Sequence, residues 1–458
     1  MTDRFWTFAA AGYLVACLLL GGASAAGAAA NALLQLAALV LILIWVWRRD
    51  VALPREARWP MWLAGAFLLV NLIMMVPLPA SLWAGLPFRG EIAGAFRLIG
   101  TPLPALPLSL APPSTIWSLL SLLPPAAVFL MVASLPNEDR RRLVLPLLAV
   151  ASLSIVLGAF QLLGGPQSPL RPYTVTNNFT PVGFFANVNH EGTLLLCSLP
   201  FVAFLASRAA ARRSRSKRSG GAIISVAVGL FLTVGIAMTG SSAGYGLYFP
   251  TALASLLIYR RAVVGRIAWP WTAGMVAVLL VFTVVALRGP LSSEAFGAEN
   301  TDQPASRRTL AATTVRAIGD SFPVGTGLGT FQTVYRRYEN PDRVSRQYAN
   351  HAHNEYVEFV LELGIAGLLL ILAFIGWWAT ALVRAWRSEV PGAAMARAAS
   401  VAIGVVLLHS IVDYPLRTSA IAAVVGFACA LLVPAPRRES ESTDAEGPRS
   451  DLRHLEAE

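Results

Sequence analysis

The sequence predicts an all-helical membrane protein with about twelve transmembrane spans, and two observations indicate this fold class. Hydrophobic residues make up 56% of the 458 residues and charged residues only 13%, whereas a soluble domain is about 25% charged. The apolar residues also gather into twelve runs, each near the roughly 20 residues that a membrane-spanning helix needs. These properties exclude a soluble globular domain. Cys17, Cys197 and Cys429 lie inside apolar runs and are interpreted as core residues, which excludes a disulfide scaffold as well.

Each run is assigned as a helix because a backbone in contact with lipid must satisfy its hydrogen bonds internally. In chain order the predicted spans are approximately 5–23, 31–47, 59–79, 114–135, 143–164, 190–207, 222–240, 243–259, 268–287, 358–383, 398–414 and 418–434. Only a few residues around Ser241 and Ser242 separate the seventh and eighth spans, which predicts a tight helical hairpin. The spans form one transmembrane domain over residues 1–434, with a large loop at about 288–357. Residues 435–458 are polar and are predicted to be a disordered tail.

The positive charges indicate how the chain is oriented in the membrane. With the N-terminus in the cytoplasm, 24 of the 36 Lys and Arg residues fall on the cytoplasmic side, as the positive-inside rule requires. Both termini are therefore expected in the cytoplasm. The basic run at 208–218 is interpreted as a topology anchor against anionic lipid, and no nucleic-acid partner is expected. The first span is interpreted as an uncleaved anchor, with a cleaved signal peptide as the alternative.

Polar residues are concentrated on the opposite, far side of the membrane, first in the loop at 165–189. The candidate residues in and just after this loop are Arg171, Asn177, Asn178, Asn187, Asn189, His190 and Glu191. Amide and imidazole groups beside aromatic rings would suit a sugar-binding wall. The alternative is that the Asn residues cap the sixth helix and shape turns.

The long loop contains a predicted amphipathic helix at the membrane surface, running from Ser306 to Asp320. The apolar residues that share one face of this helix are Ala311, Val315 and Ile318. Arg308 and Arg316 lie two turns apart on the same helix. Three alternating glycines at 325–329 follow, and they form either a phosphate-binding loop or a plain turn.

A cluster of ionisable residues leads into the tenth span. His351 and His353 are followed by Glu355, Glu358 and Glu362, which share one helical face. Two histidines spaced by one residue supply too few ligands for a metal, so no metal site is predicted. A neutral imidazole at a membrane-surface cleft is suited to general-base chemistry, and a structural hydrogen-bonding role is the alternative.

The eleventh span ends in three ionisable residues spaced four apart. His409, Asp413 and Arg417 would stack on one helical face, with Pro415 ending the helix. We expect a buried ion-pair ladder that supports the site without contacting substrate, because Asp413 has ready partners on both sides.

Four motifs in this order resemble the O-antigen ligase and polymerase superfamily, in particular its bacterial exopolysaccharide-type members. They run from Gly183 to His190, from Gly325 to Phe331, from His353 to Gly367 and from His409 to Asp413. The third matches the family pattern in full: His, then Asn, nine residues, Gly, two residues and a small residue. The resemblance covers most of the chain and implies a GT-C-like arrangement, with the large loop in the periplasm between the ninth and tenth helices.

The resemblance implies a glycosyltransferase of the bacterial inner membrane that needs no cofactor or metal and whose active site faces the periplasm. Its donor would be a polyprenyl-diphosphate-linked glycan and its acceptor a glycan hydroxyl. Other proteins of polysaccharide export or assembly would be possible partners beside the lipid bilayer. His353 would be the general base, and Arg171, Arg308 and Arg316 would hold the diphosphate. The residues expected to bind glycan are Asn187, Asn189, His190, Asn354 and Glu355, and the supporting residues are His409, Asp413, Arg417 and Glu362.

The chain departs from the family pattern at two positions. Many members carry an arginine where this chain has Ser242, and a basic residue where it has Val188. Either the remaining arginines suffice, or the donor differs, or the chain is a weakly active or inactive paralogue. Two further functions stay open: a ligase that moves glycan to a lipid A core or to protein, and a transporter of lipid-linked glycans.

Overall fold

The computed structural model describes residues 2–24, 27–48, 53–211, 214–264, 307–341, 349–390 and 392–436. Within these ranges the chain is helical and contains no strand beyond an isolated bridge between Leu78 and Leu106. The predicted ninth span at 268–287 and the tail beyond residue 436 lie outside the described residues. The all-helical class is therefore confirmed for the described part of the chain.

Seventeen α-helices are described, and they are numbered here in chain order. The first nine are α1 (Thr2–Leu20), α2 (Ala28–Trp47), α3 (Arg58–Met75), α4 (Ala80–Trp83), α5 (Gly90–Leu98), α6 (Pro112–Leu120), α7 (Leu123–Ala133), α8 (Asn137–Arg142) and α9 (Val144–Leu163). The remaining eight are α10 (Val188–Ala210), α11 (Arg215–Thr239), α12 (Ser242–Val264), α13 (Arg307–Ser321), α14 (Phe331–Tyr338), α15 (Glu355–Arg387), α16 (Ala393–His409) and α17 (Ser419–Leu432). Short 3₁₀ turns lie at Arg55–Ala57 and Pro415–Arg417.

Seven helical stretches among the described residues are long and apolar enough to cross a membrane. They are Ala28–Trp47, Arg55–Met75, Pro112–Ala133, Asn137–Leu163, Val188–Ala210, Ser219–Thr239 and Glu355–Arg387. Three shorter apolar helices lie at Arg4–Leu20, Ala393–His409 and Ser419–Leu432. A multi-pass membrane protein is thus supported, whereas the number twelve stays a prediction.

Helix α10 lies at the centre of the bundle. It packs against α9, α11, α12 and α16, and its side chains from Asn189 to Val202 are all buried. Helices α11 and α12 are separated by only two residues, Gly240 and Ser241, and Gly240 has the positive φ of 67° that such a sharp reversal needs. The predicted helical hairpin is therefore confirmed. Its tip lies beside the beginning of α10.

The predicted fourth span is divided into α6 and α7. The break falls immediately before Pro124 and Pro125. Proline has no N–H to donate and is favoured in the first turn of a helix, where that N–H would have no partner within the helix, so a new helix begins there. The two pieces together still form one candidate span, Pro112–Ala133.

Helix α15 is interrupted at Gly364, where φ is 57° and ψ is −138°. The N–H of Ile365 donates to the carbonyl oxygen of Pro323 at 2.9 Å, so the loop before α14 inserts into the break. A Cβ atom at residue 364 would collide with that same carbonyl group. The interruption therefore joins the loop before α14 to a helix that is long and apolar enough to cross a membrane.

Replacing Gly364 with alanine is expected to lower the free energy of unfolding by about 2–4 kcal/mol, because it adds both a disfavoured φ and a steric clash. Thermal unfolding in detergent would measure the loss. Gly376→Ala is the matched control, since it lies on the same helix with no atom near its Cβ position. Equal unfolding midpoints for the two variants would contradict this account of the break.

Candidate active site

Four segments that are far apart in sequence meet at one end of α10. They are residues 187–191 at the start of that helix, the loop at 349–354 before α15, the turn at 413–417 after α16, and the first residue of α13. Asp413 is the point at which they converge. Three of the four predicted motifs contribute directly to this cluster.

The carboxylate of Asp413 is fully buried and surrounded by donors and imidazoles. Its Oδ1 lies 3.5 Å from Nδ1 of His353 and 3.8 Å from Nε2 of His190. Its Oδ2 accepts a hydrogen bond from the Asn189 amide and lies 3.8 Å from the guanidinium of Arg307. Burial by itself raises the pKa of Asp413, but the two adjacent imidazoles outweigh it and hold that pKa well below its ordinary value. The carboxylate is therefore ionised.

His353 is the partly exposed member of the cluster. Its side chain is 22% exposed, and its backbone has a φ of 50°, which is uncommon for a residue other than glycine. Because Nδ1 is the nitrogen that faces Asp413, the opposite nitrogen, Nε2, is left for a substrate proton. The carboxylate lies at ion-pair distance from Nδ1, which has no hydrogen-bond partner among the described residues, so it can stabilise the charged form of a general base by its own charge.

Tyr414 packs between three histidine rings. Its ring centroid lies 4.9 Å from that of His353, 5.1 Å from that of His190 and 4.3 Å from that of His351. The side-chain amide of Asn350 donates to its hydroxyl group at 2.8 Å. Burial, with a further contribution from Asp413, raises the pKa of Tyr414 to about 12. The phenol is thus neutral and serves as the wall against which His353 rests.

The predicted ladder of His409, Asp413 and Arg417 is wrong. Helix α16 ends at His409, and Arg417 belongs to a separate 3₁₀ turn, so the three residues share no helical face. The helix ends early because the carbonyl oxygen of Ser410 accepts the N–H of Glu355 from α15. His409 instead contacts the Thr193 hydroxyl through Nδ1 at 2.8 Å.

Arg417 forms ion pairs with two carboxylates of α15. Its Nη2 lies 3.2 Å from Oε1 of Glu358 and 3.0 Å from Oε2 of Glu362. The other oxygen of Glu362 accepts the N–H of Gly329 at 2.8 Å. Glu362 and Arg417 therefore pair with each other and not with the partners expected, and their supporting role stays a prediction.

The glycine-rich loop uses its backbone N–H groups within the protein. Those of Thr326 and Gly327 donate to the carbonyl oxygen of Glu362, and that of Gly329 to its side chain. A Cβ atom at residue 325 would collide with the backbone around Gly364. Of the two interpretations of this loop, the structure supports a tight turn that packs on α15.

The residues predicted to bind glycan mostly have partners within the protein. Asn187 and Asn354 cap α10 and α15, accepting the N–H groups of Asn189 and Val357. Asn189 and His190 are only 8% and 2% exposed. Glu355, the last residue of the set, is buried and accepts hydrogen bonds from the Ser410 hydroxyl and the Leu416 N–H. Asn189, His190 and Glu355 are thus buried, whereas Asn187 and Asn354 are partly exposed, and the glycan-binding role of the set stays a prediction.

The predicted diphosphate-binding arginines lie in different surroundings. Arg171 donates to the carbonyl oxygens of Asn177 and Thr180 and so closes its own loop. Arg308 is exposed on α13, and Arg316 donates to the Thr313 hydroxyl at 3.2 Å. None of the three has a contact with His353 or Asp413 within the described ranges.

Arg307 is the arginine that reaches the cluster, and the sequence reasoning missed it. Its side chain is 33% exposed, so its guanidinium is reachable from solvent as well as close to Asp413. The buried residues of α13 include Leu310, Thr314 and Ala317. Spacings of three and four place Arg307 on that same face, whereas Arg308 is turned about 100° away. The spacing of Arg307 from these residues was the sequence signal that could have identified it as the arginine facing the site.

Within the described ranges, no group of three or more His, Cys, Asp or Glu side chains has an arrangement that could hold a metal ion. The contacts of Asp413 bring together its carboxylate, the imidazoles of His353 and His190, and the guanidinium of Arg307. Such a set can accept a proton and stabilise negative charge on a substrate.

Residues 226–372 match a protein-family model described as O-antigen ligase. A comparison of the chain with curated proteins found no match. The matched segment contains Arg307 and His353 and ends before the turn that carries Asp413. Within this segment the match confirms the resemblance to the O-antigen ligase and polymerase superfamily, and the segment holds the second and third of the four motifs. The extension of the resemblance to most of the chain stays a prediction. The match covers 147 of the 458 residues and shows what this segment is similar to.

Proposed function

We propose that the protein transfers glycan from a polyprenyl-diphosphate-linked oligosaccharide to a glycan hydroxyl at the periplasmic face of the inner membrane. The observation that carries this proposal is the contact between Asp413 and Nδ1 of His353, at 3.5 Å, in a partly exposed site. It lies beside a guanidinium and partly inside the segment that matches the O-antigen ligase family. A base next to a cation is what displacement of a diphosphate by a hydroxyl requires.

In the proposed reaction, the acceptor oxygen attacks the anomeric carbon of the donor sugar. A new C–O bond forms as the bond from that carbon to the diphosphate breaks, and the acceptor proton passes to Nε2 of His353. The imidazolium that results is stabilised by the ionised Asp413. The polyprenyl diphosphate leaves with its charge stabilised by arginine. No metal is required for these steps, and the polyprenyl tail remains in the bilayer.

We assign the first contact with the diphosphate to Arg307. Its guanidinium lies on the opposite oxygen of the carboxylate that contacts His353, so it is adjacent to the proposed base. Arg308 and Arg316 are exposed on the same helix and would attract the anionic donor before it is seated. Arg171 would contribute from the loop that it closes.

Arg307→Ala is expected to lower kcat/KM for the donor by about 10–100-fold, since hydrogen bonds to charged groups contribute roughly 1.5–3 kcal/mol. Arg316→Ala, about 13 Å further along α13, should have a smaller effect that disappears at high salt. Both values come from initial rates over a series of donor concentrations. An Arg307 variant that matches wild type, beside a strongly impaired Arg316 variant, would reverse the assignment.

Two other functions are outcomes of the same test. The family description names a ligase, for which the acceptor would be a lipid A core or a protein. A transporter of lipid-linked glycans would also be multi-pass, but such proteins place ionisable sites near the bilayer midplane in broken helices. Here the cluster around Asp413 lies at the end of α10 and in the turns beside it. The broken helix α15 also has an ion pair, between Glu362 and Arg417, next to its break at Gly364, so the transport arm of the test is needed.

Purified full-length protein in proteoliposomes would be supplied with a polyprenyl-diphosphate oligosaccharide and EDTA, with and without a lipid A core acceptor. Chain lengthening without the core supports a polymerase, and transfer to the core alone supports a ligase. Movement of donor across the bilayer without a new glycosidic bond would contradict the proposal. Product that forms only when EDTA is omitted would contradict the metal-independent mechanism.

The proposed topology can be tested in the same preparation. We propose that both termini are cytoplasmic and that Arg307 and His353 face the periplasm. Protease applied from one side of sealed vesicles should remove the tail at 435–458 from the side opposite to the one from which donor is used. Partner proteins of polysaccharide export or assembly remain part of the proposal.

A further inference from the structure

The loop that carries His353 has an unusual backbone and needs a specific support. A φ of 50° is disfavoured for a residue with a large side chain. Such a conformation persists only where the surrounding contacts determine it. Residues 349–354 are the described part of the connection that leads into α15, and their contacts place the imidazole.

Glu358 supplies two of these contacts with a single carboxylate. Its Oε1 lies 2.8 Å from Nδ1 of His351, and its Oε2 accepts the N–H of Ala352 at 2.7 Å. These are the two residues immediately before His353. The Glu358 side chain is 1% exposed, so the contacts are made away from solvent and hold the chain firmly.

The carboxylate reaches the loop from a rigid element. Glu358 lies in the first turns of α15, whose N-terminus is capped by Asn354. The backbone N–H of Glu358 donates to the carbonyl oxygen of Asn354 at 3.1 Å. The contacts of His351 and Ala352 with Glu358 thus fold the loop back on the helix that follows it.

The same carboxylate is also connected to the other half of the proposed catalytic pair. Oε1 of Glu358 lies 3.2 Å from Arg417, and the N–H of Arg417 donates to the carbonyl oxygen of Tyr414 at 3.2 Å. Tyr414 follows Asp413 directly. One ion pair therefore connects the segment that holds His353 to the turn that holds Asp413.

We propose that Glu358 is a positioning residue that fixes the backbone of His353 and, through Arg417, its separation from Asp413. It does not contact substrate. This proposal rests on the proposed function in that His353 is the base. Its structural half, the fixing of the loop, holds whatever the reaction is.

Glu358→Gln in the full-length protein tests the proposal, with Glu362→Gln as the matched control. Both residues contact Arg417, but Glu362 holds the glycine-rich loop and not the loop at 349–354. Amide hydrogen exchange in residues 349–354 should become about tenfold faster in Glu358→Gln, because one buried hydrogen bond is weakened. It should stay unchanged in Glu362→Gln.

Turnover provides the second measurement. A misplacement of about 1 Å can lower a rate by about 100-fold, so kcat should fall 10- to 100-fold in Glu358→Gln while KM for the donor stays the same. Glu358→Asp, which keeps the charge but is one methylene too short to reach both contacts, should not restore kcat. Unchanged amide exchange in residues 349–354 would overturn the positioning role. A higher KM for the donor with kcat intact would overturn it as well. A wild-type protein that makes no product would instead contradict the proposed function, and the exchange comparison would still decide the role of Glu358.

Discussion

Replacing His353 with alanine is expected to lower the turnover of glycan transfer by about 100- to 10,000-fold, the contribution that a positioned general base makes. Donor binding should change little, because the diphosphate is assigned to arginines and not to the imidazole. The effect should therefore fall on kcat, measured as product formed per enzyme under saturating donor. The alanine side chain is small and the site is partly exposed, so the fold should survive.

His351→Ala is the matched control for this experiment. His351 lies two residues away, contacts the same Tyr414 ring, and has its own carboxylate partner in Glu358. Its removal weakens one of the supports of the loop and should lower turnover by about tenfold at most. Comparable losses in the two variants would indicate that the loop matters without identifying a base. A larger loss in His351→Ala would move the base to that residue.

Asp413→Asn is expected to lower turnover by at least about 100-fold, because a neutral amide cannot stabilise the imidazolium that forms when His353 takes a proton. The substitution keeps the volume of the side chain and one of its acceptor oxygens, so the packing of the turn should remain. The loss should again appear in kcat. Measurement at several donor concentrations separates this from weaker binding.

The lowered pKa of Asp413 determines how its contribution to the free energy of unfolding depends on pH. Because that pKa is lowered in the folded protein, the ionised carboxylate contributes stability that is present above about pH 4 and is lost as the pH falls through the folded value. Between pH 5 and pH 8 the carboxylate stays charged, so acidification in that range does not titrate it. Unfolding in this range should therefore be no easier on account of Asp413.

Asp139→Asn is the control for a buried aspartate elsewhere in the chain. Asp139 is also buried, and its carboxylate pairs with Arg142 at 2.8 Å in α8. It contacts none of the residues of the candidate site. Wild-type turnover in Asp413→Asn would contradict a role of this carboxylate in the mechanism. An equal loss of turnover in Asp139→Asn would show that the assay detects a loss of protein stability.

Most helices of the described fold follow from the sequence because long apolar runs leave few alternatives in a membrane. What the runs do not determine is where a helix ends when its last carbonyl groups bond to another element. The end of α16 is such a case, since the Glu355 N–H takes the carbonyl of Ser410. That tertiary bond converts a predicted ladder into a turn, and it brings Asp413 to His353.

The candidate site was predicted in part. The motif around His353 was recognised, but Asp413 was expected to bond to Arg417 in a structural ladder. The choice between Arg307 and Arg308 depends on a rotation of about 100° around α13, which is set by the packing of that helix on α15. The residue pattern alone predicted the helix α13 with its arginines. It did not determine which of the two adjacent arginines, Arg307 or Arg308, faces the protein interior.

The insertion of the glycine-rich loop into the break of α15 has a consequence for exchanging parts between related proteins. A Cβ atom at Gly325 would collide with the backbone from Glu362 to Gly364, and a Cβ atom at Gly364 would collide with the backbone of Pro323 and Val324. The N–H of Ile365 also donates a hydrogen bond to the carbonyl oxygen of Pro323. The loop before α14 and the first half of α15 therefore fit only each other, and a change in one requires a matching change in the other. A chimera that takes the loop from one homologue must take the residues around Gly364 from the same source.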